Sequence, residues 1–194
     1  MRSLRFILAL GALCCIPALI SAQSFSFGAS GVYAALNGDD FAGINSGIGF
    51  DAQMRYHPKG KVSFGGGFQY TSHGIEGFSE HFSVTGFFID PRYTFSLPAS
   101  PKVSPYVGMR VAYAHWKVSS GGSSLTANGT AFGPGGGLLV KLSPNASLDV
   151  GLLWLVSVHF GNADLDGSEQ PDTKSSGSAM GLRAGFQFGF GQKN

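Results

Sequence analysis

Apolar residues alternate with small or polar ones along most of this chain, at the period of a β-strand. Between residues 178 and 191, Met180, Leu182, Ala184, Phe186, Phe188 and Phe190 share one face, while Gly181, Arg183, Gly185, Gln187, Gly189 and Gly191 share the other. Successive strand side chains point to opposite faces, so one face is apolar and the other carries glycine and charge. The split recurs about eight times, as it does in spanning barrels. It predicts strands near residues 24–35, 47–57, 61–72, 80–95, 103–118, 130–142, 146–160 and 178–191. The connections alternate in length: long at 36–46, 119–129 and 161–177, medium at 73–79, short at 58–60, 96–102 and 143–145. The short ones hold turn formers such as His57-Pro58-Lys59-Gly60 and Ser143-Pro144-Asn145. Short turns at one end and long loops at the other predict an all-β, eight-stranded, antiparallel up-and-down barrel that spans a membrane.

The two faces then acquire surroundings. One set holds Ile48, Phe50, Ala52, Met54 and Tyr56, then Val62, Phe64, Phe68 and Tyr70, then Val103, Val107, Met109, Val111 and Tyr113, and finally Leu148, Val150, Leu152, Trp154, Val156, Val158 and Phe160. In a narrow barrel this set faces out, toward hydrocarbon. Its aromatic residues gather at both ends. Phe25, Tyr56, Phe64, Tyr93, Phe95, Phe188 and Phe190 lie toward the short turns, with Tyr33, Tyr70, Phe82, Tyr113, Phe132 and Phe160 toward the long loops. Two such girdles suit the headgroup zones of a bilayer. The inward set holds Asp51, Gln53, Arg55, Gln69, Asp90, Arg92, Arg110, Lys141, Asp149, Arg183 and Gln187. Eight strands leave an interior only wide enough for side chains, so these charges are expected to pair into a plug. Asp51, Asp90 and Asp149 would be shared among Arg55, Arg92, Arg110, Lys141 and Arg183. A proton or ion path is the alternative.

The N-terminus adds a destination. Arg2 and Arg5 precede an apolar run from Phe6 to Ile20 and the small residues Ser21 and Ala22. That run is short for a spanning helix and ends in a processing-type site, so residues 1–22 read as a secretory signal peptide and residues 23–194 as the barrel domain. Cys14 and Cys15 both fall in the leader, which leaves the rest of the chain without cysteine. Thirteen Lys and Arg against eleven Asp and Glu look basic, but Arg2 and Arg5 belong to the leader and the remainder balances. No basic patch suggests nucleic acid.

Candidate chemistry is sparse. The segment Ser104-Pro105-Tyr106-Val107-Gly108-Met109-Arg110-Val111-Ala112-Tyr113 and the Phe186, Phe188, Phe190 ladder resemble the small eight-stranded outer-membrane β-barrel family of Gram-negative bacteria, the OmpX, OmpA transmembrane-domain and opacity-protein group. The resemblance implies short turns in the periplasm and long loops outside the cell. It also implies outer-membrane lipid and lipopolysaccharide as surroundings, and barrel-insertion machinery and periplasmic chaperones during assembly. With that orientation Asp39, Asp40, Glu76, Glu80, Asp164, Asp166, Glu169 and Asp172 lie at the external end. Asp164, Asp166, Glu169 and Asp172 are candidates to hold cations that bridge to lipopolysaccharide phosphates; the plainer alternative is a solvated loop. Asp164-Leu165-Asp166-Gly167 lacks the later glutamate of an EF-hand.

Val158-His159-Phe160-Gly161-Asn162 looks like the histidine segment of outer-membrane lipid A deacylases, but Gly161 stands where the nucleophilic serine belongs. Alternation also turns His159 inward, away from lipid. His57, His73, His81 and His115 have no metal-ligand spacing, and Gly65-Gly66-Gly67 and Gly133-Pro134-Gly135-Gly136-Gly137 are not followed by the Lys-Ser or Lys-Thr of a phosphate loop. Those glycines are expected to make room for bulky inward residues such as Tyr106 and Trp116. The chain therefore reads as a non-enzymatic barrel without cofactor or metal, serving a structural, adhesive or surface-interaction role. A narrow conduit for small solutes, as in OmpW-like barrels, and a soluble periplasmic ligand-binding barrel are the rivals.

The face assignment is testable by substitution. Val150→Arg places a charge at mid-bilayer at a cost of about 2 to 4 kcal/mol and should abolish the heat-modifiable gel band of the folded barrel. A polar exchange at inward Ser147 should leave that band intact. Equal tolerance at both positions would contradict the assignment.

Overall fold

A computed structural model describes residues 24–58, 60–120, 123–171 and 173–190; the leader expected at 1–22 lies outside them. The strands are β1 (Ser24–Asn37), β2 (Ile44–His57), β3 (Val62–Ile75), β4 (His81–Thr94), β5 (Val103–Ser120), β6 (Ser123–Ser143) and β7 (Ala146–Phe160). A small hairpin of β8 (Asp164–Leu165) and β9 (Ser168–Glu169) follows, and then β10 (Ser175–Phe190). All ladders are antiparallel. β10 pairs with β1 from Phe25↔Phe190 to Asn37↔Ser178 and with β7 on its other side, and the β5–β6 ladder completes the circle. The eight long strands thus form a closed barrel. Closure leaves no edge unpaired, which a strand surrounded by lipid requires. The outer surface matches that solvent: Ile48 is 71% exposed, Phe87 67% and Leu152 62%.

The interior divides in two. Toward the long-loop end lies an apolar cluster of Phe41, Phe82, Ala114, Trp116, Ala127, Ala131, Val158, Phe160, Ala163 and Ala179. Trp116 lies 5.4 Å from the ring of Phe82 and meets Phe160 edge-on at 6.4 Å; Phe41 packs edge-on to Phe160 at 6.3 Å. Phe41 reaches the barrel mouth from the β1–β2 loop, where a single 3-10 turn spans Asp39–Phe41. Its seat depends on a glycine: a Cβ at Gly177 would lie 2.9 Å from the Phe41 ring. Asp40 Oδ2 accepts the Ser176 N–H at 2.7 Å and stitches this loop to β10. Burying each large ring contributes roughly 1.5–3 kcal/mol, so the outer half of the lumen is a small hydrophobic core. Toward the short-turn end the interior is polar.

Three expectations about facing and extent are corrected. β7 carries one extra residue: between Val158↔Gly177 and Leu155↔Ala179 three steps on β7 match two on β10, and between Ser157↔Phe132 and Leu153↔Gly135 four match three on β6. A bulge of this kind reverses facing beyond it. Val158 and Phe160 are consequently buried inside the barrel and His159 is exposed, the reverse of strict alternation. Phe82, expected in the outer girdle, is 4% exposed and points inward, in phase with buried Phe88, Asp90 and Arg92. The region 119–129 is not a long loop, because β5 and β6 stay paired up to Ser120↔Ser123. The upper part of β6 gains a second partner in β8, through Leu125↔Leu165 and Thr126↔Asp164, which gives Leu125 an apolar neighbour.

The reversal predicts opposite sensitivities for adjacent residues. Val158→Asp would bury a carboxylate in the apolar cluster and should eliminate the heat-modifiable folded band, whereas His159→Asp should retain it. Loss of the band in the second variant and its retention in the first would restore simple alternation.

Candidate functional site

The polar half of the lumen is built from inward positions of six strands: Asp51 and Arg55 on β2, Asp90 and Arg92 on β4, Tyr106 and Arg110 on β5, Asp149 on β7 and Arg183 on β10, with Gln53 on β2 and Gln69 on β3. None of the charged members is more than 6% exposed. Asp90 Oδ2 meets Arg92 at 2.9 Å and Arg55 and Arg110 at 3.3 Å each. Asp149 Oδ2 accepts from Arg183 at 2.6 Å and from Arg92 at 2.9 Å, and its Oδ1 accepts the Tyr106 hydroxyl at 2.7 Å. Asp51 Oδ2 lies 3.4 Å from Arg183 and 3.5 Å from Arg110. Gln53 Oε1 accepts from Arg55 at 3.1 Å, and Gln69 Oε1 accepts from Arg110 at 2.8 Å. Two guanidiniums also lie over rings, Arg92 on Tyr106 at 4.4 Å and Arg110 on Phe88 at 3.6 Å.

Each carboxylate is thus held by two or three cations, a geometry suited to sealing the lumen. Four guanidiniums face three carboxylates, so the cluster keeps one positive charge in excess. Room for it comes from glycines on facing strands. A Cβ at Gly151 would lie 2.3 Å from the Tyr106 hydroxyl, and one at Gly65 would lie 2.6 Å from Arg55 Nη2. Tyr106 and Phe88 are members that polarity alone does not flag. Inward phase on β5 and β4 is the signal that locates them.

Lys141 does not belong to this cluster. Its backbone pairs with Ser147, one inward row beyond the Leu139↔Asp149 rung, and its side chain is exposed at the short-turn mouth. Phase places it on the inward face, but its height puts it where water can solvate the ammonium.

The loop carboxylates are each taken up by local donors, although Asp164 and Glu169 share a rung of the β8–β9 hairpin. Asp164 Oδ1 accepts the Gly167 N–H at 2.6 Å, Asp166 Oδ1 accepts the Ser124 N–H at 2.7 Å and Glu169 Oε1 accepts from Asn162 at 2.7 Å; Asp172 lies outside the described residues. The donors at Ser124 and Ser123 hold the Asp166 carboxyl below its ordinary range. These groups close turns and pin the β8–β9 hairpin to β6. Among the described residues no three acids, histidines or cysteines converge to hold a metal. His73 bonds Asn45 and Thr71, and His115 bonds Asn128.

Residues 6–153 match the family described as outer membrane protein beta-barrel domain. Among solved structures, Neisserial surface protein A (NspA) is 21% identical with a TM-score of 0.63, covering 88% of this chain and 98% of its own. Ail, the attachment invasion locus protein of Yersinia pestis, is 19% identical at 0.51, covering 87% and 97%. OprG from Pseudomonas aeruginosa is 13% identical at 0.57, covering 88% and 96%. At these identities the likeness is one of fold. No curated protein matches the sequence.

The close fit around Tyr106 gives a test of the cluster's packing. Gly151→Ala should push the hydroxyl off Asp149 and cost about 1–3 kcal/mol of overpacking. Tyr106→Phe should cost about 1–3 kcal/mol by leaving Asp149 short of a donor. In urea titrations of the refolded barrel the double variant should lose less than the sum, because the phenyl ring no longer opposes the new methyl. Strict additivity would place the two residues out of contact.

Proposed function

The chain belongs to the outer membrane protein β-barrel domain family, and on that premise we propose that it acts at the cell surface through its external rim, as a structural or adhesive barrel. The observation that carries the reading is the ion cluster across the lumen. Asp51, Asp90 and Asp149 are each bound by at least two guanidiniums, and in an interior only wide enough for side chains this pairing supports a plugged lumen. At the cell surface, the part available to partners is the long-loop end. There the β5–β6 hairpin rises with β8 and β9 strapped to it, and acidic Asp39, Asp40, Asp164, Asp166 and Glu169 sit at or near the surface. The apolar outer belt sits in lipid and lipopolysaccharide, and the barrel reaches it through the insertion machinery and periplasmic chaperones. The mechanism is mechanical and electrostatic: the sealed barrel holds the rim rigid, and the rim presents carboxylates and short edges to whatever binds.

A second reading has one observation in its favour. A cavity of about 80 Å3 lies above the cluster among Val84, Ala112, Leu153, Leu155 and Val158. Its apolar wall suits a small apolar solute, with the cluster as its floor.

Planar-bilayer recording separates a sealed barrel from a conduit. The refolded wild type should show no stepwise conductance in potassium chloride. Regular steps in the wild type that change with Arg110→Ala or Asp90→Ala would overturn the sealed reading.

A further inference from the structure

Below the ion cluster, at the short-turn mouth, the barrel opens into a cavity of about 270 Å3. Lys61, Lys141 and His57 line it with Ser26, Ser147 and Gln187, and among the described residues no carboxylate lines it. Ladder pairing sets Lys141 opposite Ser147 and Ser147 opposite Gln187, so these side chains share one inward row just beneath Asp149. Neither lysine pairs with a carboxylate among the described residues. The roof above them carries the excess positive charge of four guanidiniums against three carboxylates. Among the described residues the remaining acids lie at the long-loop end. A walled cleft lined by one sign of charge concentrates counter-ions.

A second observation refines the ligand. Gln187 is 8% exposed and keeps its amide oxygen buried with no partner, while its amide nitrogen donates to Ser26 Oγ, which lies 2.8 Å from His57 Nε2. A buried acceptor without a donor is uncommon. It suits a ligand hydroxyl, while two ammonium groups suit a phosphate as point charges.

We propose that the short-turn mouth binds a phosphate ester bearing a neighbouring hydroxyl, of the glycerophosphate class, with Lys61 and Lys141 holding the phosphate and Gln187 the hydroxyl. The assignment of this mouth to the periplasmic side rests on the outer-membrane reading above. Two sources share the chemistry there: the headgroup of an inner-leaflet phospholipid and a soluble phosphate ester.

The test uses the full barrel refolded in maltoside micelles, which contain no phosphate, with heat-modifiable mobility verifying the fold independently of binding. Glycerol 3-phosphate and, in a second arm, short-chain phosphatidylglycerol are titrated while backbone amide resonances are followed. Saturable shifts at Ser63, Ser104, Ser147 and Gly189 are expected in at least one arm. Saturation with the lipid alone assigns the site to the headgroup, and saturation with the free ester assigns it to a soluble ligand. Lys61→Gln with Lys141→Gln should weaken binding at least tenfold, and Lys61→Arg with Lys141→Arg should preserve it. A folded wild type that saturates with neither ligand, or a folded Gln variant that binds as well as wild type, overturns the proposal. A chain that never acquires heat-modifiable mobility refutes the membrane-barrel reading instead.

Discussion

Everything inside this barrel is arranged around seven ionised side chains in a space too narrow to hydrate them. A guanidinium or carboxylate moved out of water carries a penalty of several kcal/mol that only close, multiple partners can offset. Arg92 on β4 supplies such a partner twice, at 2.9 Å to Asp90 on its own strand and at 2.9 Å to Asp149 on β7, three strands away around the barrel. The cluster thereby ties β2, β4, β5, β7 and β10 together across the lumen, a job backbone ladders cannot do because they join only neighbours. Its demands propagate outward. Gly65 and Gly151 must lack side chains so that Arg55 and Tyr106 can lie flat. The cluster is not saturated, since Asp51 Oδ1, Arg55 Nε and Arg110 Nε have no hydrogen-bond partner. An apolar filling of equal volume would serve stability as well or better.

The second consequence is a lumen with two chemistries. Above the cluster, Phe41, Phe82, Trp116 and Phe160 build an apolar core that fastens the β1–β2 loop to the mouth. Below it, the wall is polar and basic. Among the described residues, carboxylates outside the cluster outnumber Lys117 and Lys174 at the long-loop end, while Lys61, Lys102 and Lys141 lie at the other. The barrel is therefore electrically polarised along its axis. The long-loop end is suited to cationic or hydrogen-bonding contacts, and the short-turn end to anions.

The eight strands and the apolar belt were legible in the sequence because a lipid-facing surface enforces a strict period of two. Face follows from phase, so Asp51, Arg55, Asp90, Arg92, Arg110, Asp149 and Arg183 could be placed inward residue by residue. Height does not follow from phase: Lys141 shares their face but sits a row beyond the last carboxylate. Nor does phase survive an inserted residue. Nothing in Trp154-Leu155-Val156-Ser157 announces the bulge that turns Val158 and Phe160 inward and His159 out. Phe82 is a different lesson, since its phase was inward and only its aromatic character suggested a girdle. The loop carboxylates looked like a cation site because composition is silent about local donors, and Gly167, Ser124 and Asn162 claim them.

The account stands on the cluster behaving as one electrostatic unit, and a double-mutant cycle measures that directly. Asp90→Asn, Asp149→Asn and the double variant would be unfolded in urea from refolded barrels, with tryptophan fluorescence as the readout. Both carboxylates share Arg92, so the free-energy losses should be non-additive, with a coupling of about 0.5–3 kcal/mol. Losses that simply sum would mean that the charges act as separate pairs, and that the cluster does not organise the fold.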